Sequence, residues 1–188
     1  MGSSALLVMD VPKNIVERYA QPADLRPLVA AVAAARVDQV AVIFVRVAFR
    51  AGYPDISPNN RSFAALRERG GMEETDPATQ VWEGVAPQEG EVVVVKRRVG
   101  AFSGSGLDVV LRSMQIHHLV LAGIATSGVV LTTLRLAADL DYQLTVLQDG
   151  CLDNDPAVHR VLMQKVFPRQ ATVVSTADGC IHCDWPAG

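Results

Sequence analysis

The sequence predicts an α/β fold: a three-layer, doubly wound domain with a mostly parallel sheet of about six strands. Three observations predict it. Six short, β-branched apolar runs punctuate the chain, and amphipathic helical segments separate them. The runs alternate little between polar and apolar, as expected of strands covered on both faces. Strand–helix–strand repetition then implies right-handed crossovers.

The first run (residues 5–9) ends in Asp10. Asp24 is placed to cap a helix through Ala35, with Leu25, Leu28, Val29 and Val32 on one stripe. The second run (40–45) ends near Arg46, and Arg61 to Arg69 reads as a short helix closed by Gly70. Residues 70–91, with Gly70, Gly71, Pro77, Pro87 and Gly90, are the least regular stretch. A loop that long is usually functional or a cover. The third run (92–95) ends in Lys96, and Ser105 caps a helix carrying Leu107, Val110, Leu111 and Met114. The fourth (119–121) leads into Ala122 and Gly123, after which Thr126 or Ser127 caps a helix with Val130, Leu131, Leu134 and Ala138. The fifth (144–147) ends near Asp149. Asp155 and Pro156 supply a cap and a first-turn proline before Val158, Val161, Leu162 and Val166. The sixth run is 171–174, and the tail, 177–188, has no clear element.

A length of 188 residues suits one domain, taken as 1–188, with a full core of its own. Hydrophobic residues make up 49%, too many for disorder, yet no apolar run reaches the eighteen or so that a spanning helix needs. The run at 5–9 is too short for a signal-peptide core. The expected location is cytoplasmic, away from membranes. A net charge of −3 with interspersed signs gives no basic face for nucleic acid, and Lys96, Arg97 and Arg98 form only a local feature. Cys151, Cys180 and Cys183 are too few and odd in number for a disulfide framework, which fits a reducing compartment.

Chemistry is expected beyond the carboxyl ends of the strands, where open α/β sheets bind ligands. Asp10 ends the first strand, Lys96 ends the third, and the turn at 123–128 follows the fourth and opens a helix. If the sheet closes as predicted, a carboxylate, an ammonium and a helix N-terminus share one cleft. The free amides of that terminus suit a developing oxyanion.

Three stretches resemble the isochorismatase-like hydrolases, a family that includes nicotinamidases and carbamoyl-hydrolysing enzymes. They are the opening strand into Asp10, the segment from Lys96 to Leu107 with Ala101, Phe102, Gly104 and Leu107, and the turn from Leu119 to Val130. Thr132 to Ala137 and Asp149 continue the likeness, which spans roughly residues 5–175. The resemblance implies Asp10 and Lys96 as catalytic residues and the backbone amides of Ala125 and Val129 as oxyanion donors. It also implies a cis peptide between Ile124 and Ala125. The family's nucleophilic cysteine falls on Val129, which has no nucleophilic atom. True isochorismatases are similar in this respect, with a small residue there and an Asp that protonates a vinyl ether. The resemblance thus implies a hydrolase acting on a small molecule without a covalent thioester, or else an inactive scaffold that binds a metabolite or a protein. Pro12 and Lys13 replace the Gln-Asn pair usual in the family, and no histidine stands where nicotinamidases hold a metal. No metal and no cofactor are expected. The resemblance implies a homodimer or homotetramer.

Arg46 and Arg50 are candidates to fork a substrate carboxylate, with solvated arginine the equal alternative. Ser127 reads as a cap rather than a substitute nucleophile, Cys151 as a small buried hydrophobe, and Trp82 as a pin for the irregular stretch. The pair Cys180 and Cys183 has half the ligands of a zinc site and no second pair. Gly100, Gly104 and Gly106 have the wrong spacing for a dinucleotide loop. His117 and His118 adjoin a strand start at the edge opposite the predicted site, as surface or packing residues.

Overall fold

The computed structural model describes residues 3–21 and 23–178. Six strands form one parallel sheet in the order β3-β2-β1-β4-β5-β6. They are β1 (Ser3–Met9), β2 (Ala41–Val47), β3 (Val92–Lys96), β4 (Ile116–Ile124), β5 (Gln143–Leu152) and β6 (Thr172–Val174). All six expected runs are therefore strands. Those of β1, β2 and β4 are buried almost throughout, which is why they lack alternation.

Helices cover both faces. Leu6, Val8, Phe44 and Val120 point to the side of α1 (Lys13–Tyr19) and α2 (Arg26–Val37), against Val16, Leu28, Ala31, Val32 and Ala35. Leu7, Met9, Ile43, Leu119 and Leu121 point to the other side. There they meet Leu107 and Leu111 of α4 (Leu107–Ser113) and Leu134 and Ala137 of α5 (Leu131–Asp139). The chain then enters α6 (Pro156–Val161), continued by a π-helical segment, Leu162–Val166, whose Leu162 and Met163 join the same core. This is the expected three-layer arrangement.

Helix α3 (Arg61–Arg69) stands outside the layers. Asn60 caps it by accepting from the Phe63 N–H, and Gly70, at φ 70, closes it in the left-handed region that favours glycine. Phe63 and Met72 join Val47, Phe49 and Ile56 in a small separate cluster that seats residues 70–91 over the end of β2.

Some local expectations differ. Asp24 does not cap α2, because its carboxylate accepts instead from the Gln21 N–H, and Leu25 takes the cap position. Ser105 still supports α4, accepting from the Leu107 N–H, although Gly106 holds the cap position. Asp155 caps α6 as expected, accepting from the Ala157 and Val158 N–H groups. Cys180 and Cys183 lie outside the described residues.

Candidate active site

The site begins at the end of β1. Asp10 takes φ 49, a region that aspartate enters more readily than most residues, and its N–H continues the ladder to the Val45 carbonyl. One carboxylate oxygen accepts from the Val47 N–H at 2.8 Å. The other lies 2.7 Å from the Lys96 ammonium. The Asp10 and Lys96 side chains are 8% and 1% exposed, so the pair is essentially out of water. Lys96 uses its other two donors on the Arg98 and Val99 carbonyls, both at 2.9 Å. An ammonium with three acceptors is a satisfied buried cation. Burial pushes the Asp10 carboxyl above its ordinary 3.8, outweighing the Lys96 charge and the hydrogen bonds from Lys96 and Val47.

The floor opposite is the end of β4. Gly123, at φ 142, lies so close to β1 that an added Cβ would stand 2.0 Å from the Met9 carbonyl oxygen. The Ile124–Ala125 peptide is cis, as the resemblance implies. A π-helical turn, Thr126–Val130, follows and feeds α5. No side chain caps this turn from its own start, contrary to the expectation for Thr126 and Ser127. The end of β5 fixes it instead. The Thr126 hydroxyl donates to the Leu152 carbonyl and meets His159 Nδ1 at 2.8 Å, while the Ser127 N–H donates to Asp153 at 2.7 Å. With its only proton on the carbonyl, the hydroxyl accepts from the His159 ring. Asp153 and His159 were not singled out in the sequence. An Asp shortly after a strand, facing a helix start, is the signal that could have found the first.

Asp10, Lys96, Ala125, Gly128 and Val129 all line one cleft of about 400 Å³. Helix α1 supplies Asn14, Ile15, Arg18 and Tyr19 to its wall, and α3 with the following loop supplies Phe63, Leu66, Arg69 and Met72. Asn14 donates to the Gly71 carbonyl and the Met72 sulfur, and its own carbonyl oxygen is buried without a partner.

Neither arginine singled out for a substrate carboxylate lines this cleft. Arg46 is buried, and its guanidinium donates to the Thr79 carbonyl and hydroxyl and to the Glu74 carbonyl, holding the irregular loop. Arg50 pairs with Asp55 in a separate concavity of about 680 Å³ beside the end of β3, with Arg97 and Arg98. The two arginines that do face Asp10's cleft are Arg18 and Arg69, which no sequence motif marks as site residues.

Other candidates fall into structural roles. Cys151 is 1% exposed and its thiol is pushed up to about 12 by burial, leaving an inert small hydrophobe. Trp82 pins the loop: its backbone N–H donates to the Val11 carbonyl and its side chain packs against the α1–α2 core. His118 sits at the far end of β4, between Ser4 and Thr145. Among the described residues, no group of His, Cys, Asp and Glu side chains could hold a metal ion, and no helix is long and apolar enough to cross a membrane.

A parallel sheet in this order, with a buried carboxylate–ammonium pair facing a cleft at its switch point, defines a doubly wound α/β protein. The chain belongs to the isochorismatase family, whose Isochorismatase domain matches residues 4–178. It is 34% identical over 173 residues to the isochorismatase family protein YwoC of Bacillus subtilis, covering 88% of this chain and 86% of that one. It is also 34% identical over 131 residues to the ureidoacrylate amidohydrolase RutB of Variovorax paradoxus. That match covers 63% of this chain and about half, 52%, of RutB. Among solved structures, a cysteine hydrolase from Pseudomonas syringae superposes with a TM-score of 0.84 at 25% identity, covering 93% of this chain and 89% of that one.

Proposed function

We propose that this member of the family hydrolyses a small molecule without forming a covalent enzyme intermediate, with Asp10 as the group that moves the proton. The observation that carries the reading is the Asp10–Lys96 pair, buried at 2.7 Å and facing an open cleft beside the Ala125–Val129 turn. By resemblance Val129 takes the place of the family's cysteine, so no acyl-enzyme forms at that position.

Asp10 donates its proton to the substrate as the scissile bond weakens, and water adds to the electron-poor carbon. The proton released by that water returns to the Asp10 carboxylate, which closes the cycle with no net change in the enzyme. Burial raises the fraction of Asp10 that carries a proton to give. Lys96, fixed by the Arg98 and Val99 carbonyls, holds the carboxyl in place and stabilises the carboxylate after transfer. The Ala125 and Val129 amides receive charge developing on the substrate oxygen. The relative RutB is named for an amidohydrolase reaction, which puts amides and ureas beside vinyl ethers in the test panel. We read the working form as a cytoplasmic homodimer or homotetramer.

The test compares wild type with Asp10→Asn across vinyl ethers, amides and ureas. Turnover of one class should fall at least about 100-fold in the variant. Hydrolysis that survives the change undiminished sinks the role given to Asp10. The inactive scaffold finds less support, because the cleft over Asp10 is open rather than filled by collapsed side chains.

A further inference from the structure

Charge in the cleft runs against charge in the chain. Three cations, Arg18, Arg69 and Lys96, line it against one carboxylate, Asp10, giving +2 in a chain of formal net charge −3. Lys96 is buried against Asp10 and the Arg98 and Val99 carbonyls, so the exposed charge belongs to Arg18 and Arg69. These come from separate elements: Arg18 from the last turn of α1 and Arg69 from the last turn of α3. Among the described residues, neither forms a salt bridge or a hydrogen bond, although every other arginine lining a concavity does so. The Arg18 guanidinium lies over the Tyr19 ring, 5.7 Å from its centroid. Two exposed, unneutralised guanidinium groups at the rim of a low-dielectric cleft attract anions and concentrate them there.

We infer that Arg18 and Arg69 select a substrate bearing a carboxylate, held at the cleft mouth while its apolar body lies along Phe63, Leu66 and Met72. This rests on the hydrolase reading of the same cleft and names its substrate class. An arginine fork meets the two oxygens of a carboxylate, and the Tyr19 hydroxyl in the same lining is a further donor for them.

The test is a binding measurement, kept separate from turnover. Wild type and the double variant Arg18→Gln/Arg69→Gln are titrated with 3-phenylpropanoate and with 3-phenylpropanamide, which share a skeleton and differ in charge. Wild type should bind the acid about tenfold tighter than the amide at low salt, and the preference should shrink as salt rises. The double variant should bind both alike. Equal binding of acid and amide by wild type, a preference that survives the double substitution, or no binding of the acid at millimolar concentration each overturns the inference. Failure of the Asp10 role shows only in the hydrolysis assay with Asp10→Asn, so the two readings fail separately.

Discussion

Replacing Lys96 with methionine keeps most of the side chain's volume and deletes its charge. At 2.7 Å and an effective dielectric of 20, the lysine attracts Asp10 by about 6 kcal/mol, and desolvation of the two ions offsets much of that. The variant is left with a buried carboxyl held by the Val47 N–H alone and with the Arg98 and Val99 carbonyls short of a donor. Unpairing a buried ion in this way costs about 3–5 kcal/mol. In a chain of this length the melting temperature should fall by roughly 6–20 °C. Urea unfolding, with the slope checked for constancy, measures the loss directly. The double change Asp10→Leu/Lys96→Met removes both charges and should recover at least about 2 kcal/mol of it. A loss below about 1 kcal/mol for Lys96→Met, or strict additivity in the double variant, would refute the claim that these two groups stabilise one another out of water.

Further expectations follow from the same geometry. Val129→Cys places a thiol in the cleft with Asp10 and should be alkylated by iodoacetamide in intact protein, while Cys151 stays unmodified. Peptide mapping, which resolves Cys180 and Cys183 as well, reads this out. Gly123→Ala forces a Cβ to within 2.0 Å of the Met9 carbonyl oxygen and should prevent accumulation of folded protein, as judged by soluble yield and circular dichroism. Asp153→Ala removes the acceptor of the Ser127 N–H and should lower stability by about 1 kcal/mol in chemical unfolding. Glu91 accepts two hydrogen bonds from Arg36, both at 2.8 Å, and these hold its carboxyl below its ordinary 4.5. That depressed value means the pair contributes stability above pH 4.5 and loses it as pH falls through the lower, folded-state value. The gap between wild type and Arg36→Gln, about 1 kcal/mol at pH 7, should therefore close on acidification.

The sheet was legible because its strands are short, β-branched apolar runs separated by helical stripes, with β1, β2 and β4 buried almost throughout, and each run became a strand. The meeting of Asp10 and Lys96 was legible for a related reason. Both end parallel strands, so both had to reach the same edge. Helix α1 was not legible. It has seven residues, starts directly after Pro12, and buries only Val16, so it carries no stripe. With it went Asn14 and Arg18, two residues of the cleft wall. Arg46 misled because strand position gives a side chain's face but not its partner. Its partners, Glu74 and Thr79, lie about thirty residues away in a loop without periodicity. The cap expected at the turn after β4 failed because a distant acceptor, Asp153, takes the Ser127 N–H, and the one expected at Asp24 because its carboxylate accepts from the Gln21 N–H instead.

The strand order explains why the cation opposite Asp10 is a lysine on β3. Met9 of β1 registers with Val45 of β2, and Val47 of β2 registers with Lys96 of β3, so Asp10 and Lys96 stand on strands separated by β2. Neighbouring strands lie about 4.8 Å apart, so the gap between these backbones is roughly 10 Å. The lysine stem spans it, and its tetrahedral ammonium then has donors left for the Arg98 and Val99 carbonyls of the turn that follows its own strand. The intervening strand contributes as well, since the Val47 N–H binds the other Asp10 oxygen. The sheet divides on the other side of β1, where β4 runs to its α5 crossover and β1 to its own, and the space left between them is the cleft. Three strands thus fix the Asp10 carboxyl from one side, and the crossover point leaves the cleft open on the other.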